Sequence, residues 1–154
     1  MMANNRCLPL EDTPEYKYLM SLGLPKEDYA IFGSGPLIKK GLKPLKNDLD
    51  VIARGLAWEK TTLLGHPIDT PFKRGKRVVL FNGRIEIYNE WISEKYDVNE
   101  LIDEAEIING VKFVALHKSL NYKKDLWRPK DIEGIRSIID YEISNCRPQQ
   151  SIKF

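Results

Sequence analysis

Two aspartates, Asp48 and Asp50, stand one residue apart at the start of an apolar run that continues through Val51 and Ile52. In a β-strand, residues i and i+2 project from the same face, so the two carboxylates should lie side by side. At the start of a buried strand they would repel each other and lose hydration unless a cation lay between them. Mg²⁺ prefers oxygen ligands and often binds one or two carboxylates together with substrate phosphates. The segment therefore predicts a buried strand with a divalent-metal site on one face.

A glycine-serine turn, Gly33-Ser34, precedes Asp48 by thirteen intervening residues and follows the apolar run 29–32. Glycine allows a close approach of the backbone to a ligand, Ser34 suits a helix N-cap, and Pro36 suits the first turn of a helix. A helix N-terminus offers unpaired N–H groups and the positive end of the helix dipole, which favour a phosphate. A phosphate site beside a metal site is the arrangement that phosphoryl transfer requires.

The order Gly33-Ser34, thirteen residues, Asp48-Leu49-Asp50-Val51 resembles the signature of the nucleotidyltransferase fold. This superfamily includes DNA polymerase β, antibiotic nucleotidyltransferases and small prokaryotic or phage nucleotidyltransferase-like proteins. The resemblance implies that Gly33 and Ser34 contact a nucleoside triphosphate and that Asp48 and Asp50 bind divalent metal. It also implies a third acidic metal ligand on a later strand.

A candidate for the third acid lies in a predicted β-hairpin over residues 77–90. Asn82-Gly83 separates two apolar runs, and Asn-Gly in that position is a strong hairpin signal. On the second strand Glu86 and Tyr88 share the face opposite to Ile85 and Ile87. Pattern alone fits a solvent-facing glutamate equally well; the resemblance favours Glu86 as the third ligand, with Glu90 as the alternative.

A second resemblance lies near the C-terminus. Lys123 followed by Trp127-Arg128-Pro129-Lys130-Asp131 is similar to the Lys…Gly-Arg-Pro-Lys-Asp segment of many small nucleotidyltransferase-like proteins. Two features depart from that pattern: Trp127 replaces the small residue, and Glu133-Gly134 replaces an acid-rich pair. The resemblance implies that Lys123 binds the triphosphate. Arg128 is expected to have a structural role, and a solvated helix face is the alternative for the basic residues.

Strands mixed with helices, two hairpins and a helical C-terminus predict the α+β class with a mixed sheet. The resemblance implies that this sheet is nucleotidyltransferase-like and flanked by helices. Thr13 is the predicted N-cap of the first helix. Helices are predicted over 14–20, 36–42, 99–104, 117–126 and 129–145; strands over 28–32, 48–54 and the hairpins 77–90 and 106–115, with strand-like 58–64 in an otherwise irregular 55–76 segment.

Length and composition set the remaining expectations. A chain of 154 residues predicts one domain over 14–146, with 99–146 as its C-terminal helical part, 1–13 loosely ordered and 147–154 as a tail. The net charge of +2 argues against a dedicated nucleic-acid binder. Cys7 and Cys146 lie far apart without metal-ligand spacing, which is typical of a reduced protein. With no long apolar run, we expect a cytoplasmic protein without membrane contact.

Two functional classes follow from the sequence. In the first, the chain is a metal-dependent nucleotidyltransferase in which Asp48, Asp50 and Glu86 are catalytic and hold two Mg²⁺ ions, or Mn²⁺, while Gly33, Ser34 and Lys123 bind the nucleoside triphosphate. The acceptor hydroxyl would belong to a small molecule, a protein or an RNA end. In the second class, the chain is a catalytically inactive nucleotide- or partner-binding module, such as one half of a toxin–antitoxin pair. Base preference and oligomeric state are not fixed by the sequence.

Overall fold

The computed structural model describes residues 9–42, 45 and 48–152, and within them seven strands form one mixed sheet. The sheet order is β3-β4-β5-β2-β1-β7-β6. The strands are β1 Tyr29–Phe32, β2 Leu49–Ala53, β3 Ile68–Asp69, β4 Lys76–Leu80, β5 Ile85–Tyr88, β6 Glu106–Ile108 and β7 Val111–Phe113; the helices are α1 Pro14–Ser21, α2 Gly35–Lys39, α3 Gly55–Leu64, α4 Val98–Asp103, α5 Leu116–Leu126 and α6 Pro129–Ile152. The predicted α+β class with a mixed sheet and C-terminal helices is confirmed.

The centre of the sheet combines parallel and antiparallel pairs. Strand β2 runs antiparallel to β1 and parallel to β5, and β1 runs parallel to β7. Phe32, Asp50 and Glu86 are direct neighbours across β1, β2 and β5, so they share one face of the sheet. The carboxylates predicted from strand alternation are therefore placed side by side by the strand register.

Each face of the sheet carries its own hydrophobic core. One core contains Ile31, Val51 and Ile87, which pack with residues of α1 and α3. The other core contains Phe32 and Tyr88, which pack with Trp91 and Tyr122. Asp50 and Glu86 belong to this second, aromatic face, which α4 and α5 cover in part.

Both predicted hairpins are present. Asn109 and Gly110, with φ of 51° and 81°, form a two-residue connection between the paired Ile108 and Val111, as Asn-Gly turns favour. In the β4–β5 hairpin, Leu80 pairs with Ile85 and the connection spans 81–84. There Phe81 and Asn82 both have φ of 54°, so the left-handed region begins one residue before the Asn-Gly pair.

The strand predicted over 58–64 is wrong, because these residues belong to helix α3. Ala57 and Thr61, one helical turn apart, are fully buried on the same face. The Thr61 hydroxyl donates a hydrogen bond to the carbonyl of Ala57 at 2.8 Å. Packing of this small face on the sheet outweighs the strand propensity of the aromatic and β-branched residues.

Of the two helix N-caps predicted from the sequence, Thr13 is confirmed and Ser34 is not. Thr13 caps α1, accepting a hydrogen bond from the amide of Tyr16 at 3.2 Å as predicted. Ser34 occupies the N-cap position of α2 without capping it through its side chain, and α2 spans only five residues. That part of the phosphate argument, which relied on a capped helix N-terminus, is therefore wrong.

The chain ends differ from the predicted boundaries. Leu10 is fully buried in the core and lies in a turn of 3-10 helix over Leu10–Asp12, while residues 1–8 of the predicted loose N-terminus lie outside the described residues. Helix α6 continues to Ile152, through most of the predicted tail. Among the described residues, no helix is long and apolar enough to cross a membrane.

Trp127 ends helix α5 in a left-handed conformation, with φ of 46° and ψ of 45°. Glycine is the commonest residue at such helix ends because it lacks a Cβ. The small residue expected from the resemblance would therefore fit this position without strain. The Trp127 side chain is largely exposed and does not make up for that strain through burial.

Candidate active site

Three carboxylates meet at one point of the aromatic face. Asp48 directly precedes β2, Asp50 lies on β2, and Glu86 lies opposite Asp50 on β5. One ligand oxygen from each carboxylate lies within 4.8 Å of the others, and all three side chains are half-buried. Three converging carboxylate oxygens on adjacent strands fit a hard divalent cation such as Mg²⁺. The structure thus brings together the three acids that the sequence singled out.

Gly33 brings the glycine-serine turn into contact with this cluster. It has φ of 64°, and a Cβ at this position would lie 2.6 Å from Oδ2 of Asp50. Any other residue would be strained in this conformation and would also clash with the carboxylate. Gly33 therefore allows the backbone of the turn to lie directly against the acidic cluster.

Glu86 is held in place by two neighbouring side chains. The Tyr88 hydroxyl donates to Oε1 of Glu86 at 2.5 Å, and Nη1 of Arg77 on β4 donates to the same oxygen at 2.9 Å. Two donors on one oxygen fix the orientation of the carboxylate. Hydrogen bonds of this kind commonly orient metal-binding carboxylates. Glu90, the alternative third acid, instead pairs with Arg74 at 2.8 Å.

The electrostatics of the cluster favour protonation when no cation is bound. Burial raises the pKa of Asp50 to about 8, with further contributions from the charges of Asp48 and Glu86, while Lys130 and Lys123 act in the opposite direction. Burial and the neighbouring Asp48 also raise the pKa of Glu86, against the hydrogen bond from Tyr88. Like charges crowded in a partly desolvated site have this effect. A divalent cation would relieve the same repulsion.

Lys123 of α5 contacts the glycine-serine turn. Its side chain is almost fully buried, and Nζ donates to Oγ of Ser34 at 3.2 Å. Nζ also lies 3.9 Å from Oδ1 of Asp131, which is buried as well. One helical turn earlier, the Ser119 hydroxyl donates to the carbonyl of Gly33 at 3.4 Å. One face of α5 therefore holds the turn and places a cation next to it.

Arg128 lies at the junction between α5 and α6 and forms hydrogen bonds with residues of both helices. Its Nε and Nη2 donate to the two carboxylate oxygens of Asp131 at 2.7 and 3.0 Å, and Nη2 also donates to the Tyr122 hydroxyl at 3.1 Å. The Arg128 backbone amide donates to Oδ2 of Asp131 at 2.8 Å. The geometry agrees with the structural role expected of Arg128 and identifies Asp131 as its partner.

Sequence reasoning missed Arg77 and Asp131 as supporting residues. The sequence pattern places Tyr88 on the face of Glu86, but it does not indicate that the hydroxyl reaches the carboxylate. Arg77 follows from the hairpin register, in which it pairs with Tyr88, once the length of the connection is known. The two histidines, His66 and His117, are exposed.

Tyr88→Phe should weaken metal binding at the triad about tenfold, since partners of ligating carboxylates contribute 10–100-fold. The substitution keeps the buried ring against Trp91 and removes only the hydrogen bond to Glu86. Mn²⁺ titration followed by electron paramagnetic resonance measures the effect. Tyr96→Phe is the matched control, because its hydroxyl contacts Asp125 elsewhere. Equal Mn²⁺ affinities of the two variants would contradict a positioning role for Tyr88.

Comparisons with known proteins return no match for this chain, whether against family models, curated proteins or solved structures. The interpretation of the site therefore rests on its residues and their geometry.

Proposed function

We propose that this protein is a metal-dependent nucleotidyltransferase, which moves a nucleoside monophosphate from a nucleoside triphosphate to an acceptor hydroxyl. The observation that carries the proposal is the convergence of Asp48, Asp50 and Glu86 within 4.8 Å, directly beside the Gly33-Ser34 turn. The resemblance of the two sequence segments supports the same reading. A bound Mg²⁺, or a pair of such ions, would supply neutralisation of phosphate charge.

In the proposed reaction, an acceptor hydroxyl oxygen forms a bond to the α-phosphorus of the triphosphate. The bond from that phosphorus to the α–β bridging oxygen breaks, pyrophosphate leaves, and the hydroxyl proton passes to a carboxylate or to solvent. Asp48 and Asp50 hold the metal, and Glu86 completes the metal site and is the candidate proton acceptor. The Gly33-Ser34 turn and Lys123 hold and neutralise the triphosphate.

The first test is thermal denaturation with each of the four nucleoside triphosphates in the presence of Mg²⁺ or Mn²⁺. We expect metal and triphosphate together to raise the melting temperature more than either alone, because ligands that bind the native state stabilise it. Absence of any such gain, with every triphosphate and both metals, would contradict the proposal.

The second test identifies the acceptor. The protein is incubated with each triphosphate labelled at the α-phosphate, with Mg²⁺, in the presence and absence of cell extract. Transfer of label to a small molecule, an RNA or a protein names the acceptor class, and labelling of the protein alone indicates self-modification. Triphosphate binding without any transfer would instead favour the inactive nucleotide-binding module.

A further inference from the structure

Helix α6 contains a glycine that its own stability does not require. Gly134 lies in the second turn of α6, and glycine is among the least favourable residues inside a helix. It is buried, and its φ is not in the left-handed region, so the helix conformation itself would accept alanine. The reason for this glycine must therefore be sought in what packs against it.

The side chain of Lys123 occupies the space that a residue larger than glycine would fill. A Cβ at position 134 would lie 3.0 Å from Cε, 3.1 Å from Cδ and 3.4 Å from Nζ of Lys123. Contacts of 3.0–3.1 Å are tighter than ordinary van der Waals separations between carbon atoms. The lysine stem consequently lies in a notch on the α6 surface, and the notch exists because position 134 has no side chain.

The same notch determines where the Lys123 ammonium ends. With its stem against Gly134, the lysine places Nζ 3.2 Å from Oγ of Ser34 and 3.9 Å from Oδ1 of Asp131. A Cβ at position 134 would require the Lys123 stem to shift by a few tenths of an ångström, and a branched side chain would require more. Because Lys123 is 3 % exposed, such a shift would move the ammonium relative to these partners. The turn that it would leave lies against Asp50 of the acidic cluster.

We propose that Gly134 is a positioning residue, whose missing side chain lets the buried Lys123 ammonium lie at the Gly33-Ser34 turn beside the acidic cluster. Its effect on ligand binding rests on the proposed function, in which Lys123 neutralises the triphosphate. Its effect on the lysine itself does not depend on that function. The two effects can therefore be measured separately.

The first experiment measures the accessibility of Lys123 in the full chain without metal or nucleotide. Gly134→Ala and Gly134→Val form a graded series, with Glu133→Ala and Glu133→Val as matched controls at the exposed neighbouring position. We expect amine labelling of Lys123, followed by mass spectrometry, to rise in the order Gly, Ala, Val at position 134 and to stay constant in the controls. Gly134→Ala keeps the test valid if the valine variant does not fold, since alanine improves helix propensity. Unchanged labelling of Lys123 in the folded variants would overturn the proposal.

The second experiment measures the affinity for Mg²⁺ with inorganic tripolyphosphate, a probe that needs no base. Gly134→Val should lower this affinity about tenfold, the size expected for loss of one charge-assisted contact. In a Lys123→Met background the same substitution should have almost no further effect, because the two residues act through one interaction. A tenfold loss that persists without Lys123 would overturn the proposal. If wild-type protein binds no tripolyphosphate while Lys123 labelling rises as expected, the proposed function fails and the positioning role of Gly134 stands.

Discussion

Asp50→Asn should stabilise the metal-free protein while abolishing the stabilisation by Mg²⁺ and nucleoside triphosphate. Without a cation, the wild-type carboxyl must either repel the neighbouring charges of Asp48 and Glu86 or take up a proton on folding, and asparagine avoids both costs. Two charges about 4 Å apart repel by about 1 kcal/mol even at the dielectric constant of water. For a chain of this length that corresponds to a rise in melting temperature of about 2–4 °C. The substitution also removes a metal ligand, so adding Mg²⁺ with triphosphate should no longer raise the melting temperature.

The pH dependence of the same variant provides an independent check. Because the pKa of Asp50 is raised to about 8 in the folded protein, from an ordinary value of 3.8, the folded state keeps a proton that the unfolded chain releases. Stability of the metal-free wild type should therefore fall as pH rises from about 4 to 8, and Asp50→Asn should show a shallower decline. Asp140→Asn, at an exposed position of α6, is the control. A variant that melts no higher than wild type without metal, yet still gains stability from Mg²⁺ and triphosphate, would refute the assigned role of Asp50.

Arg128→Ala should lower the free energy of unfolding by about 2 kcal/mol, with a drop in melting temperature of about 4–8 °C. Asp131 is 1 % exposed, and the Arg128 guanidinium donates to both of its carboxylate oxygens. Removing the guanidinium leaves a buried carboxylate with weaker compensation from the more distant Lys123 ammonium. This expected loss of unfolding free energy lies below the usual range for breaking a buried ion pair, because Arg128 is itself 37 % exposed.

Lys130→Ala is the matched control for Arg128→Ala, since it removes an exposed cation from the same motif. Burial acts to raise the pKa of Asp131, but the hydrogen bonds and charge of Arg128 outweigh it and hold that pKa below 3.8. The Arg128–Asp131 pair therefore stabilises the folded state fully above about pH 4, and this stabilisation disappears as pH falls through the lowered pKa of Asp131. Denaturant unfolding should show a larger difference between wild type and Arg128→Ala at pH 7 than at pH 3. Equal losses of unfolding free energy in Arg128→Ala and Lys130→Ala would indicate that Arg128 is a solvated surface cation without a structural role.

The strand face on which each acid lies was accessible from the sequence, because strand alternation and hairpin signals act over short distances. Asp48 and Asp50 share a face by the period of the strand, and Glu86 shares the face of its own strand by the same rule. Which strand lies beside β2 was not accessible. The parallel pairing of β2 with β5, which sets Glu86 opposite Asp50, results from the packing of the whole sheet.

Local signals failed where packing or long-range contacts decide the outcome. Segment 58–64 has residues common in strands, yet burial of Ala57 and Thr61 makes it a helix. Ser34 has the properties of an N-cap, yet its hydroxyl accepts a hydrogen bond from Lys123, 89 residues away in the chain.

By itself, the sequence determined the α+β class, the two hairpins, the cap at Thr13 and the acids that share a strand face, because each depends on residues close together in the chain. Only the tertiary structure determined that Tyr88 and Arg77 hold Glu86, that Asp131 pairs with Arg128, and that Gly134 makes room for Lys123. These contacts depend on side chains brought together by strand register and helix packing. Their energies are set by burial, which a linear sequence does not record.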